Sequence, residues 1–215
     1  MTDGIGIAEI KRMFAEAGKE IRREHENLSR LDSIGGDGDH GTAMLLAFEK
    51  IDEAVQADGA PAINEWLKET GWSVLGVGGG ASTALLGTFI AGMGDAGTGA
   101  DCKCEELAAC LRAGLRAIEK QTKAKPGDKT MMDALVPAVE AFQAAADSGK
   151  SVAEATKEAA EAARRGAEAT TEMIARYGRA KFLGEKTLGS QDAGATSTAL
   201  LFRGFSIGLV QVEEV

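Results

Sequence analysis

The sequence predicts an all-α fold of about eight helices, and three observations carry that reading. Apolar residues recur at helical spacing along most of the chain, so each periodic segment carries one apolar face. No convincing run alternates apolar and polar residues as a half-buried strand does. Breakers, Gly78-Gly79-Gly80 and Lys125-Pro126-Gly127, divide the periodic segments.

Ile7, Ile10, Met13, Phe14, Ala17 and Ile21 form the first stripe, and Met44, Ala47, Phe48, Ile51 and Val55 the second. Ile63, Trp66, Leu67 and Val74 mark a third helix that ends at the triple glycine, and residues 84–92 form a short, almost wholly apolar fourth. Leu107, Leu111, Leu115 and Ile118 mark the fifth, closed by Pro126-Gly127. The sixth spans 131–146, with a kink expected at Pro137, whose ring removes one helical hydrogen bond. Residues 152–177, rich in Ala and Glu, read as a long seventh, and 198–210 as the eighth. In an up-and-down bundle the connections after helices one, three, five and seven share one end.

The chain has 215 residues, enough for one well-buried core, and 1–215 reads as a single domain. Aromatics make up only 5%, while Ala and Gly are frequent along the stripes, so the helices can approach closely but bury little area per residue. A net charge of −9 argues against a general binder of nucleic acid or of anionic membranes. Residues 70–94 carry no charge and are long enough to cross a bilayer, but the glycines that interrupt them favour two buried helices joined by a loop. Cys102, Cys104 and Cys110 make no C-x-x-C pair, and the only histidines are His25 and His40, so a zinc site is not expected. Free thiols and an N-terminus without a basic start and apolar block fit a cytoplasmic location.

One stretch stands apart: Asp32-Ser-Ile-Gly-Gly-Asp37-Gly-Asp39-His40-Gly41-Thr42-Ala43. Three carboxylates within eight residues repel one another unless a cation joins them, and glycines let such side chains converge. Magnesium suits the set, being a hard ion that takes oxygen ligands and keeps room for waters and phosphates. An EF-hand calcium loop does not fit, because the twelfth position from Asp37 or Asp32 is Phe48 or Ala43 rather than Glu. Gly41-Thr42-Ala43 opens a helix whose free amides favour an anion. Gly79, Gly80, Ala81 and the Ser82 hydroxyl, ahead of the fourth helix, can likewise cradle phosphate.

Leu31-Asp32 and Gly36-Asp37-Gly38-Asp39-His40-Gly41 resemble the metal-binding motif of the dihydroxyacetone kinase L subunit family. The resemblance continues in family order through Gly79-Gly80-Ala81-Ser82, Lys125-Pro126-Gly127-Asp128-Lys129-Thr130-Met131, Gly178-Arg179-Ala180, Leu183-Gly184-Glu185 and Gln191-Asp192-Ala193-Gly194-Ala195-Thr196-Ser197. It implies a closed barrel of eight antiparallel helices with the nucleotide, ADP or ATP, at one end. It further implies that Asp32, Asp37 and Asp39 hold two magnesium ions bridging the phosphates. By the same resemblance His40, Gly41, Thr42 and Ala43 sit beside the nucleotide, Thr122 and Met131 lie near the base, and Arg179, Asp192, Ala193 and Gly194 are contact positions. Asp128 serves as a helix cap or as a ligand, and His40 by its own chemistry could be a base or phosphorylated nucleophile.

The family holds its ketose covalently on a histidine of a separate K subunit or domain, and neither histidine here is a credible substitute. The resemblance therefore implies the nucleotide-binding half of a kinase that needs a K partner. Its donor is either free ATP or a resident ADP rephosphorylated by a phosphotransferase-system protein. Thr83-Ala84 replaces the family's Gly-Pro, which would loosen the phosphate loop and favour exchanging ATP. Dihydroxyacetone is the default ketose and erythrulose a credible one, and a homodimer is left open. A fatty-acid-kinase-like domain and a non-enzymatic nucleotide-sensing module are the alternatives.

Overall fold

The computed structural model describes residues 4–59 and 61–210; the reading of the extreme N-terminus rests largely on Met1–Asp3, which lie outside them. The eight expected helices are α1 (Ile7–Asp32), α2 (His40–Gln56), α3 (Ile63–Leu75), α4 (Gly80–Met93), α5 (Cys104–Glu119), α6 (Met132–Asp147), α7 (Val152–Ala169) and α8 (Ala193–Val210). Each packs on the next and α8 packs back on α1, which closes a ring of helices around one apolar core. Six phenylalanines, Phe14, Phe48, Phe89, Phe142, Phe202 and Phe205, are fully buried there. Each such side chain stabilises the fold by roughly 1.5–3 kcal/mol through removal of apolar surface from water.

The seam that closes the ring depends on small residues. A Cβ at Gly204 of α8 would lie 2.2 Å from the Ala17 Cα of α1, so the two backbones touch where any larger residue would wedge them apart. Phe14 stacks edge-on against Phe205 and Trp66 beside this contact, at centroid distances of 4.8 and 5.3 Å. Gly204→Ala is expected to destabilise the protein by about 1–3 kcal/mol, the usual cost of overpacking, read by chemical or thermal denaturation. Unchanged stability would show that α1 and α8 can separate freely.

Four features differ from the sequence expectation. Two short strands, β1 (Gly4–Gly6) and β2 (Asp101–Lys103), pair antiparallel with Ile5 opposite Cys102 and tie the start of α1 to the entry of α5. At three residues each they are too short to show alternation. α7 stops at Ala169 instead of running to residue 177, because a 3₁₀ turn (Thr170–Glu172) and an extended Met173 follow it. α4 and α8 start earlier than their apolar stripes, at Gly80 and Ala193, since glycine and side-chain caps rather than apolar spacing open them. α6 runs unbroken through Pro137. Of the described helices, Ala193–Val210 alone is long and apolar enough to cross a membrane, yet it is mostly buried against the barrel.

The uncharged 70–94 stretch is the end of α3, a loop and α4, as expected. The segments after α1, α3, α5 and α7 meet around one cavity of about 430 Å³, lined among others by Asp32, Asp37 and Asp39 and by residues 79–82, 129–131, 177–180 and 190–194. Odd-numbered connections of an up-and-down ring fall at one end, so the topology itself assembles the site.

Candidate functional site

Asp32 ends α1, and its Oδ2 accepts hydrogen bonds from the backbone N–H groups of Gly38 (2.8 Å) and Asp39 (3.2 Å). Those bonds fold the loop back on itself, so that one oxygen from each of Asp32, Asp37 and Asp39 lies within 4.8 Å of the others. A Cβ at Gly36 would sit 2.3 Å from Asp32 Oδ1, so the loop closes only around glycine there. Burial and then the charges of Asp37 and Asp32 push the Asp39 carboxyl up, while the Arg179 guanidinium holds Asp37 below its ordinary value. An all-oxygen set of mutually repelling carboxylates on an open loop fits a hard divalent cation such as Mg²⁺.

Across the cavity, Gly78, Gly79 and Gly80 all have positive φ (75°, 101° and 84°), a conformation that side chains disfavour. The buried Thr83 hydroxyl donates to the carbonyls of Gly78 (2.8 Å) and Gly80 (3.1 Å), clamping the loop from below. Where Thr83-Ala84 was expected to loosen the loop, the Thr83 hydroxyl holds the turn through these contacts.

His40, the first residue of α2, is buried between two hydroxyls, with Nδ1 3.1 Å from Ser82 Oγ and Nε2 3.0 Å from Ser197 Oγ. Burial lowers its pKa, so the ring is neutral at pH 7. Both ring nitrogens are thus engaged by hydroxyls, through which His40 joins α2, α4 and α8. Arg179 pairs with Asp37 and brings the 3₁₀ segment Ala180–Thr187 onto the aspartate loop.

Asp192 caps α8, its Oδ2 accepting from the Ala195 N–H at 2.8 Å. One side of it faces the cavity, yet the protein around it dominates: burial pushes its carboxyl up to about 6 from an ordinary 3.8, against the opposing pull of the helix amides and Lys129. A folded-state pKa raised in this way contributes stability below pH 4 that is lost as pH rises through about 6. Asp192→Asn is expected to remove that dependence. The melting temperature of the native protein should therefore fall relative to the variant between pH 4 and 7, and parallel curves would refute the assignment.

Asp32, Asp37, Asp39, His40, Gly79, Gly80, Ala81, Ser82, Met131, Arg179, Asp192, Ala193 and Gly194 all line the one cavity. Four expected positions do not line it. A Cβ at Gly41 would lie 1.9 Å from the His25 carbonyl oxygen, so this glycine serves the packing of α2 on α1. Thr42 is exposed, Ala43 is buried beneath Gly79, and Thr122 uses its hydroxyl to accept from the Ala124 N–H. Asp128 accepts from the Lys125 N–H at 2.8 Å and pairs with Arg176, which makes it a turn residue.

Two lining residues carried no assigned role in the sequence. Ser197 holds His40. Lys129, 5% exposed and at φ 59°, donates from Nζ to the carbonyls of Thr170 (2.7 Å), Thr187 (2.7 Å) and Ser190 (2.5 Å). Its place between Gly127 and Met131 in a family block was the available signal, but a lysine that ends on backbone carbonyls leaves no spacing pattern.

Residues 34–206 match the DAK2 domain family. The chain is 37% identical over 196 residues to the ADP-binding subunit DhaL of the PEP-dependent dihydroxyacetone kinase of Escherichia coli (strain K12), covering 91% of this chain and 93% of that one. It is 35% identical to the ADP-binding subunit DhaL of PEP-dependent dihydroxyacetone kinase 2 of Listeria innocua, covering 88% of each. L-erythrulose 1-kinase of Mycolicibacterium smegmatis is also 37% identical, but the match takes in only 31% of that longer protein. Among solved structures, the dihydroxyacetone kinase of C. freundii superposes on 92% of this chain with a TM-score of 0.73 at 24% identity, over 34% of its own length. That likeness establishes the fold: a ring of helices of this kind occurs as one part of a larger kinase. By the extent of the family match and the near full-length similarity to its smaller members, the chain belongs to the DAK2 domain family.

Proposed function

We propose that this chain is the nucleotide-binding subunit of a dihydroxyacetone-type short-ketose kinase, acting with a separate ketose-carrying subunit in the cytoplasm. The observation that carries the reading is the aspartate loop and the glycine turn facing one another across a single cavity mouth. Similarity of this chain over about nine-tenths of its length to separate ADP-binding subunits, with about nine-tenths of each of those subunits matched, supports a divided enzyme.

Asp32, Asp37 and Asp39 would hold two magnesium ions, which supply positive charge to the phosphates and to the phosphoryl group in transfer. The amides of Gly79, Gly80 and Ala81 and the Ser82 hydroxyl would donate to phosphate oxygens, Ser82 being oriented by His40. Arg179, placed at the mouth, adds a further cation where charge passes to the acceptor. The apolar wall of Phe48, Leu86, Phe89 and Leu135 excludes water from the inner part of the cavity. The clamped Gly78–Gly80 turn favours slow release of nucleotide, since differences in affinity lie mostly in the off-rate. The donor is then a resident ADP recharged by a phosphotransferase-system protein, as the PEP-dependent naming of its relatives suggests.

Reconstitution tests the reading. The chain, its organism's ketose-carrying subunit and a panel of short ketoses are combined with either ATP or a phosphoenolpyruvate relay. Turnover is expected only with both subunits and the relay, with near-stoichiometric ADP released on denaturing the dialysed protein. Turnover of free ketose by this chain alone would contradict the division of labour, and ATP-driven turnover without bound ADP would reverse the donor assignment.

A further inference from the structure

The 174–188 segment departs from the rest of the surface in both polarity and charge. Six of the chain's seven phenylalanines are fully buried, whereas Phe182 is 82% exposed. Ile174, Tyr177, Leu183 and Leu188 expose a third or more of their surface in the same segment. Exposing this much large apolar surface together is unfavourable in water and marks an interaction site. The segment also holds four basic residues, Arg176, Arg179, Lys181 and Lys186, against one acidic residue, Glu185, on a chain of net charge −9. Arg176 and Arg179 turn back to Asp128 and Asp37, while Lys181 and Lys186 make no ion pair among the described residues. Lys181 Nζ instead lies 4.8 Å from the centre of the Phe182 ring.

The base of the segment is held firmly. Lys129 takes the carbonyls of Thr187 and Ser190, and the Thr187 hydroxyl accepts from the Ala175 N–H (3.0 Å) and donates to the Gly184 carbonyl (2.7 Å). Ala180 presses on Gly35 of the aspartate loop, where a Cβ would meet it at 2.6 Å. A fixed base with an exposed aromatic tip loses little further freedom on binding, which is how a binding anchor is built. Gly178, Arg179 and Ala180 line the cavity mouth, so a body seated on the tip covers the opening through which a phosphoryl group must leave.

We propose that the 174–188 segment is the docking element for the ketose-carrying subunit, with Phe182 entering an apolar recess that acidic residues flank to meet Lys181 and Lys186. This rests on the kinase-subunit reading above. Location selects the occupant: the acceptor must reach the cavity mouth, and the segment forms its rim. Charge selects the chemistry, because a basic tip on an acidic protein steers only an acidic partner face into place.

The experiment uses the full chain and the ketose-carrying subunit of the same organism, with transfer rate measured against partner concentration. Phe182→Ala and the Lys181→Glu/Lys186→Glu pair are compared with the native chain, and Mg-ADP affinity is measured for each by calorimetry. None of the three residues lines the cavity. The expected result is a rise of about tenfold or more in the half-saturating partner concentration, the scale of a binding anchor of about 1.4 kcal/mol. Mg-ADP affinity should stay within about twofold, and the native value should itself weaken as salt rises. Native transfer with unchanged partner dependence in both variants would overturn the docking assignment and leave the kinase reading intact. Absence of native transfer would sink the kinase reading and the docking proposal with it. A self-association of the chain that Phe182→Ala abolishes, without effect on transfer, would assign the surface to a second copy and so overturn the proposal.

Discussion

Asp37→Ala and Asp39→Ala are each expected to abolish magnesium-dependent nucleotide binding while the helices stay folded. Both side chains are exposed on the loop between α1 and α2, so neither supports the core. Removing either leaves two carboxylates, which hold a divalent cation weakly and still repel phosphate. A loss of at least about 100-fold in Mg-ADP affinity is expected, or roughly 2.8 kcal/mol. Circular dichroism and the melting temperature should barely move. Asp32→Ala should behave differently, because Asp32 also accepts the Gly38 and Asp39 amides. Its loss should disorder the loop and lower stability along with affinity. Native-like affinity in Asp37→Ala would place the cation elsewhere.

The second large effect is expected at Lys129. Its ammonium is the shared donor for three carbonyls from the segments that follow α7, and the chain accepts an unfavourable left-handed backbone at Lys129 to place it. Lys129→Met leaves those carbonyls without their donor, at about 1–3 kcal/mol for each that stays buried and unmet. Allowing for water entering from the cavity, a loss on the order of 3 kcal/mol is expected. That corresponds to a fall of about 10 °C in melting temperature for a domain of this size. Because the same carbonyls anchor the rim, Mg-ADP affinity should fall as well, although Lys129 need not touch the nucleotide. Lys129→Arg should rescue little, since a planar fork cannot aim its donors at three converging carbonyls as a compact ammonium does. Unchanged melting and affinity in Lys129→Met would show that the rim is held by other contacts.

The helices were legible because each buries one stripe, and stripes such as Ile10, Met13, Phe14, Ala17 and Ile21 repeat at helical spacing. Their ends were less so. α8 opens on the Asp192 carboxylate and α4 on a left-handed glycine, and neither extends the apolar pattern by which helices are recognised. The early stop of α7 depends on residues distant in sequence: the Lys129 ammonium takes the Thr170 carbonyl just beyond Ala169, so an Ala- and Glu-rich run with high helix propensity ends sooner than its composition suggests. The β1–β2 pair joins segments about a hundred residues apart and carries too few side chains to show a period.

At the site, the aspartates were readable because three carboxylates in one short loop need a physical reason to converge. Arg179 and Asp192 were readable only through resemblance, whereas the glycine turn was also readable from its place ahead of a helix, and the structure brings all of them to one cavity. Gly41 and Thr122 show the opposite case. Position in a motif suggested contact, whereas Gly41 packs against the α1 backbone and Thr122 bonds its own loop.

The most direct test is calorimetric titration of the nucleotide-free native protein with ADP, in magnesium and again in EDTA. Three carboxylates at the cavity mouth, with Arg179 the lone cation paired to them among the described residues, make a site that repels phosphate until a divalent ion is present. Tight binding is expected with magnesium, and no detectable heat in EDTA. Equal affinity under both conditions would contradict the metal assignment.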